Sequence, residues 1–471
     1  MSFQFRSEPM VFPLQPLSDN ARMATSPRAF LIELYEEYLE EASFLYEQRR
    51  TLFNNPEITW KKIGEFEERL EAHIDGLVVG DKLALDVCKR RVAEADFGEL
   101  FAATCVFCRQ DQRDSVLAIL DELDPEDADK AGAVADALKY ELPTAWASDF
   151  LALLAARDPK LAPVLARAFG YRRMPSGPEL LSALRRCTAT ALPEVVWALG
   201  RIRYQPAAPT LLDYLKSEEG PVRAAAAIAL ARMGQTRAID YCLDQVRSHA
   251  WSVLPLTLAG GPRTVALFTE LVEQSSQAEY LTALGLLGDS TSVPLLLSRL
   301  EQPDTAAAAA IALEALTGAG LVETVFIPDE IDDDELFEPE REQLRHGIRP
   351  QRSDGRPFGS NVSRVSQSAE DWNRWWGANN GRFTPGLRHR NGSPVSPAQL
   401  LDTLKADRTP HLIRCYCCEE LVTRYACDFG FELDSPVHHQ STKLAEAAIW
   451  SKSNGAQFRP GDWYFAASHQ Y

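Results

Sequence analysis

Five glycines close alanine- and leucine-rich helical stretches, at Gly200, Gly234, Gly260, Gly288 and Gly318. Their spacings are 34, 26, 28 and 30 residues. A period near thirty carried on helical segments marks an α-solenoid, in which helix pairs stack into an extended surface. Such a surface binds macromolecules more often than it performs chemistry. Gly170 stands thirty residues before Gly200, so the array begins upstream of the ladder. Each glycine fits a helix C-cap, where positive φ carries no Cβ penalty.

The clearest copy is Ala208–Gly234. Ala208 to Leu215 is its first helix, Ser217 to Gly220 a polar turn, and Pro221 to Leu230 its second helix. A second copy spans Gly288–Gly318, with Val293 to Leu300, a turn at Glu301 to Asp304, and Ala306 to Leu316. Small residues let paired helices approach closely, and Leu and Ile fill the grooves between repeats. Val222-Arg223, Ala226-Ala227, Ala229-Leu230 and Gly234 resemble a HEAT-like repeat of the short bacterial type. In the second copy Ala306 stands in the arginine place, so that match is partial. The resemblance covers residues 160–320 and speaks for fold, not activity. The expected architecture is all-α: a HEAT-like α-solenoid with an N-terminal helical cap and a mostly helical C-terminal unit.

Five segments follow. Residues 1–26, with Pro9, Pro13 and Pro16, read as an extended arm. A helix should start at Ser26-Pro27, serine capping and proline in the first turn. It opens an N-terminal helical region over 27–159, whose second helix is expected from Thr59 to Leu77 and which continues as shorter pairs from Gly80. The HEAT-like repeats occupy 160–320. Residues 321–368 read as an acidic and polar linker, carrying the run Asp329–Glu342. The last segment, 369–471, is a tryptophan-bearing unit with helices expected over Ser396–Lys405, His411–Ala426 and Ser441–Trp450.

The formal charge of −18 repels polyphosphate, and no basic patch offsets it, so no nucleic acid is expected as partner. A basic or mixed-charge protein suits the balance better. The first thirty residues hold Arg6, Arg22 and Arg28 without an apolar core for a secretion signal. No run of about eighteen apolar residues exists, so no membrane span is expected. Nine scattered cysteines suggest reduced thiols in a cytoplasm. Cys105-Val106-Phe107-Cys108 and Cys415-Tyr416-Cys417-Cys418 are C-x-x-C pairs, the second followed by Cys427, His438 and His439. Both pairs sit in helical apolar patterns without a knuckle, so small buried residues fit better than zinc ligands. Nucleophile, zinc-protease and phosphate-loop motifs are absent. No residue is therefore assigned a catalytic, cofactor or metal role, and a small-molecule ligand stays open.

The candidate partner-binding residues are Trp372, Trp375, Trp376, Arg382 and Arg388, because aromatics and arginines dominate interface hot spots. The alternative is that the tryptophans pack the C-terminal unit onto the last repeat. Arg172, Arg173, Arg185, Arg186, Arg201 and Arg203 recur after helix ends, where they would offset helix dipoles on solvated turns. Four stretches carry a narrower likeness: Phe44 to Arg50, Leu70 to Leu77, Asp371-Trp372 with Trp375-Trp376, and Arg382-Phe383 with Gly386-Leu387-Arg388. With them, Arg69 to Leu77 being the most distinctive, the chain resembles an uncharacterised proteobacterial HEAT-repeat family often encoded beside type VI secretion spike and effector genes. That resemblance implies a cytoplasmic, non-enzymatic adaptor that aids loading of an effector or spike-associated protein. It transfers no catalytic residues. An immunity protein neutralising a basic toxin is the second expectation, and a HEAT-like enzyme acting on a nucleic acid or pigment the third.

Overall fold

The computed structural model describes residues 26–470, apart from 54, 56–57, 156–159, 276, 330–335, 348–350 and 352–354. The arm expected over 1–26 lies outside the described residues except for Ser26. The Ser26 hydroxyl accepts from the Ala29 amide at 3.1 Å and Pro27 fills the first turn, so α1 (Pro27–Leu52) starts where its cap sits. It is followed by α2 (Ile63–Val79), α3 (Asp81–Arg91) and α4 (Phe97–Arg109). A reciprocal capping box of Asp96 and Glu99 begins α4.

Shorter helices then alternate: α5 (Arg113–Glu122), α6 (Ala128–Glu141), α7 (Ala147–Ala155), α8 (Ala162–Tyr171), α9 (Gly177–Leu184) and α10 (Leu192–Arg201). The series continues with α11 (Ala208–Tyr214), α12 (Gly220–Arg232), α13 (Thr236–Gln245), α14 (Val253–Ala259), α15 (Pro262–Gln274), α16 (Ala278–Leu287), α17 (Val293–Arg299) and α18 (Pro303–Thr317). Even-numbered helices from α4 to α18 pack in succession as one row, and odd-numbered helices from α5 to α17 pack against them. This is the all-α, HEAT-like solenoid that the period implies. Its core is one continuous apolar cluster running from Leu39 to Leu316, which Trp372, Phe383, Trp463 and Phe465 of the C-terminal segment join.

Two glycine roles emerge where one was expected. Gly234, Gly288 and Gly318 have positive φ, at 75°, 80° and 58°. Gly200 instead lies inside α10, where an added Cβ would stand 2.7 Å from the Cα of Ala229. Gly170 approaches Ala198 in the same way, at 2.8 Å. In those repeats the left-handed position falls to Arg173 and Arg203, with φ of 53° and 51°. The Arg173, Arg203 and Gly234 amides donate to Gly170, Gly200 and Ala231 carbonyls, so the true steps are 30 and 31 residues. The 34-residue step from Gly200 to Gly234 spans two different structural positions. Gly260 ends α14 with φ of −69°, which is not left-handed.

The acidic stretch after the repeats holds more structure than a linker. β1 (Val322–Pro328) pairs antiparallel with β2 (Gly359–Val365), with α19 (Glu338–Arg345) between them in sequence. The strand signal is richness in β-branched and aromatic residues, Val322, Thr324, Val325, Phe326 and Ile327, and the charge run beside it obscures it. The C-terminal unit contains α20 (Ala369–Asn379), short strands β3 (His389–Arg390) and β4 (Ser393–Pro394), α21 (Pro397–Lys405), α22 (His411–Tyr425), α23 (Val437–Asn454), and strands β5 (Tyr464–Phe465) and β6 (Ser468–His469). It folds back over the solenoid: β3 meets α18, α22 meets α14 and α12, and α23 meets α2. Trp60, from the N-terminal region, enters its core, with Arg414 4.1 Å over the ring. No described helix is long and apolar enough to cross a membrane.

Candidate functional site

Parallel helices in one row end on one edge, and each end leaves backbone carbonyls without intrahelical partners. At the ends of α14, α16 and α18 the C-terminal unit satisfies several of them. Arg424 donates to the carbonyls of Thr257 and Gly260 at the end of α14, at 2.9 and 3.1 Å. Thr423 donates to Leu258 at 3.1 Å. Arg388 donates to Leu287 at 2.9 Å, and the Asn391 and Gly392 amides donate to Ala315 and Leu316 of α18 at 3.0 Å.

Where α8, α10 and α12 end, the contact becomes ionic. Arg173 pairs with Asp428 and Glu432, Arg201 with Glu419 at 2.6 Å, and Arg232 with Glu419 at 2.7 Å and Asp428 at 3.0 Å. Lys139, wholly buried near the end of α6, pairs with Asp434. Arg173 and Arg201 are thus not solvated dipole compensators; carboxylates of the C-terminal unit meet them. Burial alone would raise the Glu419 carboxyl, but its two arginines outweigh that and hold it at about 2.

Beside this ladder Glu420 is enclosed by Arg388, Arg390 and Arg424, all four side chains being at most 1% exposed. Three cations face one carboxylate, and the helix-end carbonyls of α14 and α16 supply the remaining negative partners. Burial again opposes ionisation of Glu420, and the three arginines keep it at about 2.

The five candidate partner-binding residues therefore divide. Arg388 is inside this knot and unavailable to a partner. Trp372 is fully buried, its indole N–H donating to the Ser366 carbonyl at 2.6 Å. Both are corrected from partner contacts to internal anchors. Trp375 and Trp376 are half-buried against Phe383, with ring centroids 6.2 and 5.2 Å from it. Arg382 is exposed, with its guanidinium 6.0 Å over the Phe383 ring. These three form a surface group where α20 rests on α17.

The cysteines are packing residues. Burial pushes the Cys108 and Cys417 thiols up to about 12 and Cys415 to about 11, so all stay protonated at neutral pH. Cys418 donates to the Phe431 carbonyl at 3.7 Å. Among the described residues no group of three or more potential ligands is placed to hold a metal ion.

A cleft of about 700 Å³ opens at the N-terminal end of the sealed edge, between α2, α4, α6 and residues 436–439. Arg109 sits at its centre. Its guanidinium meets Glu71 at 2.8 Å, Asp75 at 2.8 Å and Glu141 at 2.6 Å. Across the cleft, Arg49 holds Glu67 at 2.7 Å, and the other Glu67 oxygen accepts from the Val437 amide at 2.6 Å. Five carboxylates (Glu67, Glu68, Glu71, Asp75, Glu141) face two guanidiniums, a formal −3 with histidine counted neutral. His438 and His439 line the wall with rings 4.1 Å apart, and burial followed by the His438 neighbour lowers the His439 pKa. Glu71 and Asp75 come from the Arg69–Leu77 stretch and Arg49 from Phe44–Arg50, so two of the four distinctive stretches meet here. Sequence spacing carries no sign of this cleft, because Arg109, Glu141 and His438 come from three distant segments.

Residues 177–259, from α9 through α14, match the family model for HEAT repeats. That span lies in the middle of the solenoid, and the same packing continues on both sides of it. No curated protein matches the chain. No solved structure matches it either.

Proposed function

We propose that this protein is a non-enzymatic, cytoplasmic scaffold that engages a protein partner through the acidic cleft between α2, α4 and α6. The observation that carries the reading is the HEAT match at 177–259 within an uninterrupted solenoid, an architecture used for protein binding rather than catalysis. The chain's own C-terminal unit covers the edge of helix ends, which leaves the cleft and the helix faces for a partner. A lining of formal −3 favours lysine or arginine side chains, consistent with the chain's −18 charge. The partner class we propose is an effector or spike-associated protein of type VI secretion. Support for that class comes from the resemblance at Arg69–Leu77 and Phe44–Arg50, stretches that contribute Glu71, Asp75 and Arg49 to the cleft.

Affinity capture from the native host, comparing the wild-type chain with Glu71→Lys/Asp75→Lys, tests both levels. The wild type should enrich a secretion effector or spike component, and the charge-reversed variant should lose most of it. Capture that is equal with both chains would move the site elsewhere, and no secretion component in either would remove the proposed partner class. The same negative lining suits a basic toxin, so an immunity role is the second reading. Deleting the gene separates them: an immunity protein's loss poisons the cell or its siblings, whereas an adaptor's loss leaves a healthy cell that delivers no effector.

A further inference from the structure

β1 and β2 form a two-stranded ribbon, and two strands alone are marginal in water. The hydrogen-bond phase shows which groups lie free. Ser366 N donates to Leu321 O at 2.8 Å, and Asp329 N to Phe358 O at 3.3 Å. Bonded pairs in an antiparallel ladder alternate, so odd-numbered residues of β1 bond to β2. Val322, Thr324 and Phe326 point their backbone N–H and C=O outward, and among the described residues no hydrogen bond reaches these groups. Val322 is 68% exposed and Phe326 43%.

Proteins usually guard such an edge with lysine, an interior proline, a bulge or a cover. On β1 the outward positions are valine, threonine and phenylalanine, and its proline, Pro328, stands only at the end. The other strand differs: β2 offers Gly359, Asn361, Ser363 and Val365, and Val365 is packed against the repeat core. Among the described residues the exposed, unguarded edge is therefore that of β1.

We propose that the β1 edge pairs with the β1 edge of a second copy of this chain, joining two ribbons into one four-stranded antiparallel sheet across a two-fold axis. Charge does not oppose a second copy at this edge, although two chains of −18 repel elsewhere. The outward positions carry no charge, and Glu323, the one acid within β1, is neutralised by Arg364 of its own ribbon at 2.8 Å. The edge is also self-complementary. An axis through Thr324 sets threonine against threonine and Val322 against Phe326 of the partner subunit, and both pair types stabilise sheets. Because the paired strands are short, the association is concentration-dependent rather than permanent.

Sedimentation of the full chain over two decades of concentration should show the mass rising from 52.4 kDa toward about twice that value. Hydrogen exchange on the same samples should show slowing at the Val322, Thr324 and Phe326 amides as the dimer forms. Thr324→Pro removes an outward N–H, and Phe326→Lys places a charge on the edge; each should stay at the monomer mass with unchanged far-ultraviolet circular dichroism. A wild-type monomer at every concentration overturns the proposal. So does a dimer that survives both substitutions, or one whose β1 amides exchange at a concentration-independent rate. Should either variant fail to fold, the exchange measurement on the wild type decides alone.

Discussion

Glycine in this chain answers two separate demands, and single substitutions can tell them apart. At Gly200 the demand is space: the helix α12 passes so close that a Cβ would sit 2.7 Å from both Cα and Cβ of Ala229. Gly200→Ala should therefore cost about 1–3 kcal/mol through overpacking. At Gly132, within α6, nothing lies within 4 Å of the added carbon. Gly132→Ala should stabilise by about 0.5–1 kcal/mol, the gain expected in a helix interior. Urea unfolding of the two variants checks the contrast, and a neutral Gly200→Ala would refute the close-packing reading. The residue letters showed that glycine recurs, but not that Gly200 and Gly234 hold different places. That distinction depends on the positive φ that Arg203 adopts, and arginine gives no local sign of it.

At the scale of elements, helices were legible because capping residues and 3.6-residue periodicity are local signals. Ser26 starts α1 and Asp96 starts α4 as their side chains dictate. What those helices hold on to was not legible. Arg201 and its carboxylate Glu419 are 218 residues apart, and nothing local links them. The tryptophan helix shows the same limit: α20 was visible, but not that Trp372 joins the apolar core of the repeats, with its indole bonded to the Ser366 carbonyl. The pairing of α10 and α12 with α22 through Glu419 can be measured. Glu419→Gln removes the nearest carboxylate from Arg201 and Arg232, at sites 12% and 2% exposed, and leaves them only Glu432 and Asp428. Breaking a buried pair from one side costs about 3–5 kcal/mol. A loss below about 1 kcal/mol in chemical denaturation would mean that water screens this contact as it does a surface pair.

Across the whole molecule, the ionic seal makes stability depend on acid. Glu419 and Glu420 titrate at about 2 when folded, against an ordinary value of 4.5. Asp428 and Asp434 are held low as well, their arginines and lysine overriding the upward effect of burial. Folded values below unfolded ones mean that the unfolded chain binds more protons in this range, so stability rises with pH there. The contribution is complete above about pH 4.5 and drains away as pH falls toward 2. A tenfold change in proton affinity is worth about 1.4 kcal/mol, so the two glutamates alone make the effect several kcal/mol in order of magnitude. The repeats and the C-terminal unit share apolar packing, Trp463 and Phe465 joining the repeat core and Leu286 and Ala315 the C-terminal one. The ion pairs that cross between them at the ends of α10 and α12, however, rest on Glu419 and Asp428, while Glu420 holds the C-terminal unit's own arginines in place. Acid should therefore loosen residues 389–470 before the repeats melt. Hydrogen exchange at pH 6 and pH 3 should show α22 losing protection while α10, α12 and α16 retain theirs. Glu419→Gln should flatten the pH dependence of the unfolding midpoint by about one proton's worth of slope. Simultaneous loss of protection in α22 and the repeats, or a wild-type pH slope in the variant, would show that the seal is not what couples this fold to acid.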